Sequence, residues 1–271
     1  MQADLFFKYW YIKLCRYLFK QKYLSIMSGP LKGYLWPIDR SYEYIIGNNE
    51  PPAVMNEFCS WFTPTTAFYD VGSNIGYYSF IANTFISSGK IYAFEPTAFN
   101  NDVFKKLLVL NKKQIKKNHI ELLEFAIADT EKEVEFSYDK VFAEGNTYVL
   151  HADNYKGEKF KVACYSIDTL LQMGYAAPDV IKIDIEGAEY DALMGAVNTL
   201  KKFTPHLLLA THNCKVPGIK EKCIAFLEKL GYVLKHTGYH NKAKAGLDDY
   251  IAVHKEKLKT LKQLQPGNAS K

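Results

Sequence analysis

The pattern of hydrophobic and polar positions changes period repeatedly between residues 67 and 254. Short apolar runs, typical of strands buried on both faces, occur at residues 67–71, 91–95, 120–128, 180–185 and 207–210. Apolar positions at helical spacing lie between or after them, at residues 75–86, 98–111, 189–201 and 219–230. Strands that alternate with helices predict an α/β domain with a mostly parallel sheet and helices on both faces.

The two ends of the chain depart from this alternation. Strands predicted at residues 232–235 and 250–254 have no convincing helix between them, which indicates an antiparallel hairpin at the edge of the sheet. We expect residues 1–62 to form an N-terminal extension of helix and hairpin, residues 63–256 to form the main domain, and residues 257–271 to be a flexible basic tail.

Composition limits the classes of function. With 271 residues and 48% hydrophobic residues, the chain is long enough to bury a sizeable core. The formal net charge of +5 comes from lysine-rich segments, which favours solvated helix faces over nucleic-acid binding. The five cysteines are scattered and form no C-x-x-C motif, which indicates free thiols in a reducing compartment and a cytoplasmic protein.

Residues 5–22 combine aromatic and apolar side chains with regularly placed cations. Lys13, Arg16 and Lys20 fall on one face of a predicted helix. Cations interrupt the apolar run too often for a helix that spans a membrane. Two interpretations stay open: a helix packed on the domain or on a partner, and a helix that makes a peripheral contact with a membrane surface.

A glycine-rich turn between two acidic strand ends indicates a site for an adenosine-containing cofactor. The turn reads DVGSNIG at residues 70–76, and the next predicted strand ends at Glu95. Glycine lets the backbone approach a ligand closely, and an acid at the second strand end can accept hydrogen bonds from ribose hydroxyls. Asn74 breaks the G-x-G-x-x-G pattern that a pyrophosphate needs, so S-adenosylmethionine fits the turn better than NAD.

A second acidic motif, KIDIEGAE at residues 182–189, follows the strand predicted at residues 180–185. It places Asp184 and Glu186 at the strand end and Glu189 at the start of the next helix. Because unpaired acids are costly to bury, this strand end is predicted to face water or a ligand.

These motifs carry a resemblance to a known family. The segments DVGSNIGYY at residues 70–78, AFEP at 93–96 and KIDIEGAE at 182–189 resemble the FkbM family of S-adenosylmethionine-dependent methyltransferases, over residues 47–209 in all. The resemblance implies a class I methyltransferase fold, which is Rossmann-like, with seven strands of which the last is antiparallel. It implies O-methyl transfer to a hydroxyl of a sugar, a glycan or a small metabolite.

The resemblance also implies which residues hold the cofactor. Gly72, Asn74 and Gly76 are expected at its methionine end, Glu95 at the ribose, and residues 128–129 at the adenine. The full predicted set is Glu50, Asp70, Gly72, Ser73, Asn74, Gly76, Glu95, Pro96, Ala128, Asp129 and Asp184. Glu50 matches a G-x-Y-E-P-like segment of the family, from which this chain lacks the tyrosine.

Methyl transfer to a hydroxyl also needs an aligned acceptor and a base. The candidate catalytic residues are His212, Asp184 and Glu186, of which His212 follows the strand predicted at 207–210. Ala210 stands where many relatives carry an acid, so a structural role for His212 is an equal alternative. Hard cations bind carboxylates, so metal assistance by Asp184 and Glu186 stays an alternative, although no metal is predicted.

Two other functions compete with methyl transfer. An NAD-linked oxidoreductase is the first, and the broken glycine motif counts against it. A non-catalytic protein that keeps the fold and binds a membrane or a partner is the second, and the intact acidic and glycine positions count against it.

Residues 140–160 show no clear period, and a loop of that length is usually functional or mobile.

Overall fold

The computed structural model describes residues 2–17, 20, 22–39, 42–47, 51–115, 120–138, 158–240 and 246–258. The strands in these ranges are β1 Tyr23–Ser25, β2 Leu35–Pro37, β3 Ala67–Val71, β4 Lys90–Phe94, β5 Ile120–Leu123, β6 Ala126–Ile127, β7 Lys132–Tyr138, β8 Glu158–Tyr165, β9 Val180–Ile183, β10 His206–His212, β11 Tyr232–His240 and β12 Leu247–His254. The helices are α1 Gln2–Tyr17, α2 Tyr42–Ile46, α3 Pro52–Ser60, α4 Tyr77–Phe85, α5 Ala98–Leu110, α6 Ile167–Gln172, α7 Glu189–Met194, α8 Val197–Phe203 and α9 Ile219–Lys229.

A seven-stranded sheet organises the described chain, in the order β11-β12-β10-β9-β3-β4-β5. The pairs from β10 to β5 are all parallel. Strand β12 runs antiparallel to both of its neighbours, β10 and β11. The structure therefore confirms the predicted class I sheet, mostly parallel, with an antiparallel last strand and a hairpin at one edge.

Helices cover both faces of this sheet because successive strand residues point to opposite sides. In β3, Phe68 belongs to one hydrophobic cluster, and Tyr69 and Val71 belong to the other. The first cluster also receives Trp36 and Phe58 from the predicted N-terminal extension. The described part of the extension thus packs on one face of the sheet, and the predicted domain boundaries stay predictions.

Three segments differ from the predicted elements. The strand predicted over residues 120–128 is divided into β5 and β6, which belong to different sheets. The helix predicted over residues 189–201 is divided into α7 and α8 around Gly195, whose Cα approaches the carbonyl oxygen of Ala128 too closely for a side chain. Strand β8 occupies the end of the segment predicted as a loop, where it pairs with β7 and β6 in a three-stranded sheet. Residues 139–157 and 259–271 lie outside the described residues.

Among the helices described, none has the length and apolar composition needed to cross a bilayer.

Candidate active site

A cavity of about 280 Å³ opens where β3, β4 and β9 end. Ligands of parallel α/β sheets bind at this edge, and pockets for them measure roughly 300–1,000 Å³. The predicted residues that line it are Gly72, Ser73, Asn74, Glu95, Pro96, Ala128, Asp184 and Glu186. Both acidic motifs of the sequence therefore meet in one cavity.

The turn between β3 and α4 packs directly on the turn that follows β9. Gly72 has a φ of +76°, and a Cβ at this position would lie 2.0 Å from the carbonyl oxygen of Asp184. Asn74 also has a positive φ, of 51°. Only glycine fits at residue 72, because any side chain would separate the two turns that form the cavity floor.

Glu95 is a buried carboxylate that the backbone holds at the cavity wall. Its Oε2 accepts a hydrogen bond from the Asn74 N–H at 3.0 Å, and its Oε1 accepts bonds from the Thr97 N–H at 3.0 Å and hydroxyl at 2.5 Å. Burial raises the pKa of Glu95, and these hydrogen bonds oppose the rise because they favour the ionised form. These hydrogen bonds therefore fix the Glu95 side chain in one orientation at the cavity wall.

Lys182 is a buried cation behind the glycine turn. Its Nζ donates to the carbonyl oxygen of Gly72 at 2.8 Å and lies 3.6 Å from Asp70 Oδ1 and 3.5 Å from Asp184 Oδ2. The ammonium also lies 5.3 Å from the centre of the Tyr78 ring. Burial by itself lowers the pKa of Lys182, but the charges of Asp184 and Asp70 outweigh burial and leave it raised.

Asp70 is fully buried and lies outside the cavity lining. Its Oδ2 accepts a hydrogen bond from the Ser79 hydroxyl at 2.6 Å. Burial raises the pKa of Asp70 in spite of Lys182 and Ser79, which favour the ionised form. Asp70 thus joins β3 to α4 and to Lys182, and it supports the cavity from behind.

His212, at the end of β10, is surrounded by three carboxylates. Its Nδ1 lies 2.7 Å from Oε1 of the fully buried Glu189, and its Nε2 lies 3.4 Å from Glu186 Oε2 and 3.6 Å from Asp184 Oδ1. Burial by itself lowers the pKa of His212, but the hydrogen bond to Glu189 and the nearby charges raise it to about 9. At neutral pH the ring is therefore an imidazolium.

The same cluster has the composition of a metal site but carries its own cations. Ligand atoms of Asp184, Glu186 and His212 all lie within 4.8 Å of one another. The ammonium of Lys215 contacts Glu186, and Lys182 lies beside Asp184. Burial alone raises the pKa of Asp184, but Lys182 and His212 outweigh it and leave it lowered. These carboxylates are thus compensated by side chains of the protein.

Several predicted residues lie away from the cavity or beyond the described chain. Gly76 packs against the ring of Phe104 and does not line the cavity. Asp129 points instead to Lys132, with Oδ1 2.5 Å from Nζ, and this contact lowers the pKa of Asp129. Glu50 lies outside the described residues. The roles of these residues stay predictions.

An aromatic wall, formed by Trp36, Tyr44, Tyr77 and Tyr78, lines the cavity and was not part of the predicted site. The rings of Tyr44 and Tyr77 lie 4.3 Å apart, and Trp36 meets Tyr77 edge-on at 5.5 Å. Tyr77 and Tyr78 directly follow the glycine turn, and this position in the sequence could have predicted that they line the cavity. Nothing in the local sequence marks Trp36 or Tyr44, because they reach the cavity from the N-terminal extension.

Comparison with known proteins identifies the family. The profile of the methyltransferase FkbM domain matches residues 70–234, which is more than half of the chain. The chain belongs to the FkbM methyltransferase family. Over 134 residues it is 28% identical to hexuronic acid methyltransferase AglP of Haloferax volcanii, a match that covers 49% of this chain and 51% of the relative. The FkbM chain described here thus spans about half the length of this curated relative.

A crystal structure of methyltransferase FkbM from Methylobacillus flagellatus KT shares the fold, with a TM-score of 0.50 at 16% identity. The match covers 70% of this chain and 44% of that one. Membership of the FkbM family implies S-adenosylmethionine as the cofactor. The cavity fits such a polar ligand, because the Ser73 hydroxyl that lines it is buried and has no hydrogen-bond partner in the described part of the chain.

Proposed function

We propose that this FkbM methyltransferase transfers a methyl group from S-adenosylmethionine to a hydroxyl of a sugar, a glycan or a related small metabolite. The observation that carries the proposal is one cavity in which Glu95 and the glycine turn face the carboxylates of Asp184 and Glu186. The relative that methylates hexuronic acid supports a sugar acceptor. All five cysteines are free, which supports a reducing, cytoplasmic location.

S-adenosylmethionine supplies an electrophilic methyl group on a sulfonium. We assign its methionine end to residues 72–74, its ribose to Glu95 and its adenine to the wall at Ala128. Holding the acceptor in line with the methyl group supplies much of the rate in such a displacement. The aromatic wall offers apolar faces on which a sugar ring can pack.

We assign the contact with the acceptor hydroxyl to Asp184 and Glu186, whose side chains are 41% and 26% exposed. We assign the acceptor proton to Glu186 as the oxygen gains the methyl group, and the orientation of the hydroxyl to Asp184, whose pKa is lowered. His212 is buried and protonated, and it holds both carboxylates from behind as a positioning residue.

An assay with tritiated S-adenosylmethionine tests the reaction. We expect label in glycosides of hexuronic acids or neutral hexoses, in a product that resists alkali because it is an ether. Label that alkali releases would mean that a carboxyl group is the acceptor, and label only in amine acceptors would also contradict the proposal. The assay is repeated in EDTA, where we expect unchanged rates because the side chains already compensate the carboxylate cluster.

The pH profile of turnover separates Glu186 from His212 as the base. If Glu186 accepts the proton and His212 only positions it, kcat should show no rise that follows His212 between pH 7 and 9, and Glu186→Gln should lower kcat by roughly a hundredfold. If neutral His212 is the base, kcat instead rises roughly fiftyfold over that range, following a pKa of about 9. Glu228→Gln, on the exposed face of α9, is the control variant.

A further inference from the structure

The outer face of α1 carries a stripe of exposed aromatic side chains. Phe7, Trp10, Tyr11 and Tyr17 are 67%, 56%, 47% and 70% exposed. Their spacing places them on one side of the helix, together with the partly buried Leu14. These five residues are the aromatic stripe of α1.

The opposite face of α1 fixes the helix to the domain. Ile12 and Cys15 are buried in the same hydrophobic cluster as Trp36. The helix also contacts α2, which carries Tyr44 of the aromatic wall. The stripe therefore lies on the outward side of a helix that is docked near the cavity.

Exposed cations lie beyond one edge of the aromatic stripe. Lys13 borders the stripe next to Tyr17, and Arg16 lies further round the helix, with its guanidinium 5.8 Å from the centre of the Tyr17 ring. Tryptophan and tyrosine favour the headgroup level of a bilayer, and lysine and arginine are attracted to anionic lipids. With 16 residues, α1 is about 24 Å long, too short to span a hydrocarbon core of about 30 Å.

We propose that α1 binds an anionic lipid surface, with the aromatic stripe in the headgroup region and Lys13 and Arg16 on the lipid charges. Charge favours this occupant over a second copy of the chain, because residues 7–17 of α1 carry three cations and no acidic residue that could pair with them.

Vesicle co-sedimentation of the full chain tests the proposal. We expect binding to vesicles of phosphatidylcholine with phosphatidylserine, and at least about tenfold weaker binding to phosphatidylcholine alone. Trp10→Ser with Tyr17→Ser should weaken binding about tenfold, and so should Lys13→Glu with Arg16→Glu. Circular dichroism and melting temperature verify that each variant is folded.

Matched control variants carry the same chemical changes elsewhere. Val109→Ser removes an apolar side chain of α5 that is 67% exposed, and Lys222→Glu with Lys229→Glu reverses two exposed charges of α9. Each control should bind the anionic vesicles within about twofold of the unchanged chain. Equal losses in control and α1 variants would overturn the proposal, as would no binding of the unchanged chain.

Quenching by brominated lipid locates the contact. We expect the tryptophan fluorescence to be quenched on vesicle binding and Trp10→Phe to remove most of this quenching, because Trp36 is fully buried and Trp61 is partly buried between Phe58 and His206. Sedimentation equilibrium tests the alternative occupant. A dimer that Trp10→Ser turns into a monomer, without vesicle binding by the unchanged chain, would assign the stripe to a second copy and contradict the proposal.

Discussion

Buried charge dominates the candidate active site at the scale of single residues. Asp70 and Glu189 are fully buried, and each lies within 4 Å of a cation, Lys182 or His212. Lys182 also lies beside Asp184, so this one ammonium compensates carboxylates from two strands. Breaking such a contact leaves a buried charge without a partner, which costs far more than losing a surface ion pair.

Lys182→Met is expected to lower the free energy of unfolding by about 3–5 kcal/mol. The reason is that Asp70 loses its cation while it stays buried. Lys235→Met is the control, because its ion pair with Glu57 is exposed and should cost less than about 1 kcal/mol. Urea unfolding measures both. Equal losses for the two variants would contradict the proposed role of Lys182, and Asp70→Asn should make its loss smaller.

Glu95→Gln is expected to weaken binding of S-adenosylmethionine by about ten- to a hundredfold, because a hydrogen bond to a charged group contributes about 1.5–3 kcal/mol. The variant should stay folded because glutamine fills the same space, but its melting temperature should fall, since the amide nitrogen cannot accept the hydrogen bond that Glu95 Oε2 takes from the Asn74 N–H. Glu121→Gln, on the exposed side of β5, is the control. Calorimetric titration decides, and an unchanged affinity in Glu95→Gln would refute the assignment to the ribose.

At the scale of elements, the site depends on two turns that touch. The turn after β3 and the turn after β9 meet at Gly72, where the backbone approaches the carbonyl of Asp184. This contact places the acids of one motif next to the glycines of the other. Gly72 therefore determines the position of both turns.

Gly72→Ala should cost at least about 2 kcal/mol more stability than Gly174→Ala, and it should weaken cofactor binding. Both glycines have positive φ, but a Cβ at Gly174 would meet nothing within 4 Å, whereas one at Gly72 meets backbone. The control thus removes the conformational cost that the two substitutions share. Urea unfolding and calorimetry measure the effects. If the two variants lose equal stability, the contact between the turns is not what requires glycine.

The sequence predicts elements well where burial is uniform and poorly where it is mixed. The apolar runs of β3 and β9 are buried throughout, so their positions follow from pattern alone. Strand β8 pairs within a small sheet and has several polar residues, so the hydrophobic pattern of the sequence does not predict it as a strand. Lys182 interrupts the apolar run of β9. A charged residue inside a buried strand indicates partners of opposite charge, and in the structure these partners are Asp70 and Asp184.

For the whole molecule, His212 links folding to pH. Its pKa is about 9 in the folded chain against about 6.5 when unfolded, so the folded chain binds more protons between these values. This stabilisation is complete below about pH 6.5 and is lost as the pH rises through about 9, with a total of about 3 kcal/mol.

His212→Gln tests this dependence. The variant should differ most from the unchanged chain below about pH 6.5, and the difference in unfolding free energy should shrink toward pH 9. Comparing two chains cancels the ionisation of the thiols, which also changes over this range. Urea unfolding at several pH values provides the measurement. A difference that is constant with pH would mean that His212 is not held as an imidazolium.

Across the whole molecule, the mostly parallel sheet follows from the alternation of strands and helices and the family follows from local motifs, but the walls of the cavity follow from neither. The glycine turn and the acidic strand ends are short segments whose chemistry is visible in sequence. Trp36 and Tyr44 line the cavity through contacts between distant parts of the chain. The family resemblance implied a place near adenine for Asp129, and the contact of Asp129 with Lys132 depends on a turn that the pattern does not specify.

The most direct test of the central claim is calorimetric titration of the full chain with S-adenosylmethionine and, separately, with NAD. The glycine turn and Glu95 predict one site for S-adenosylmethionine, with a dissociation constant in the micromolar range, and no heat from NAD. Absence of S-adenosylmethionine binding at high micromolar concentration, or tighter binding of NAD, would contradict the account.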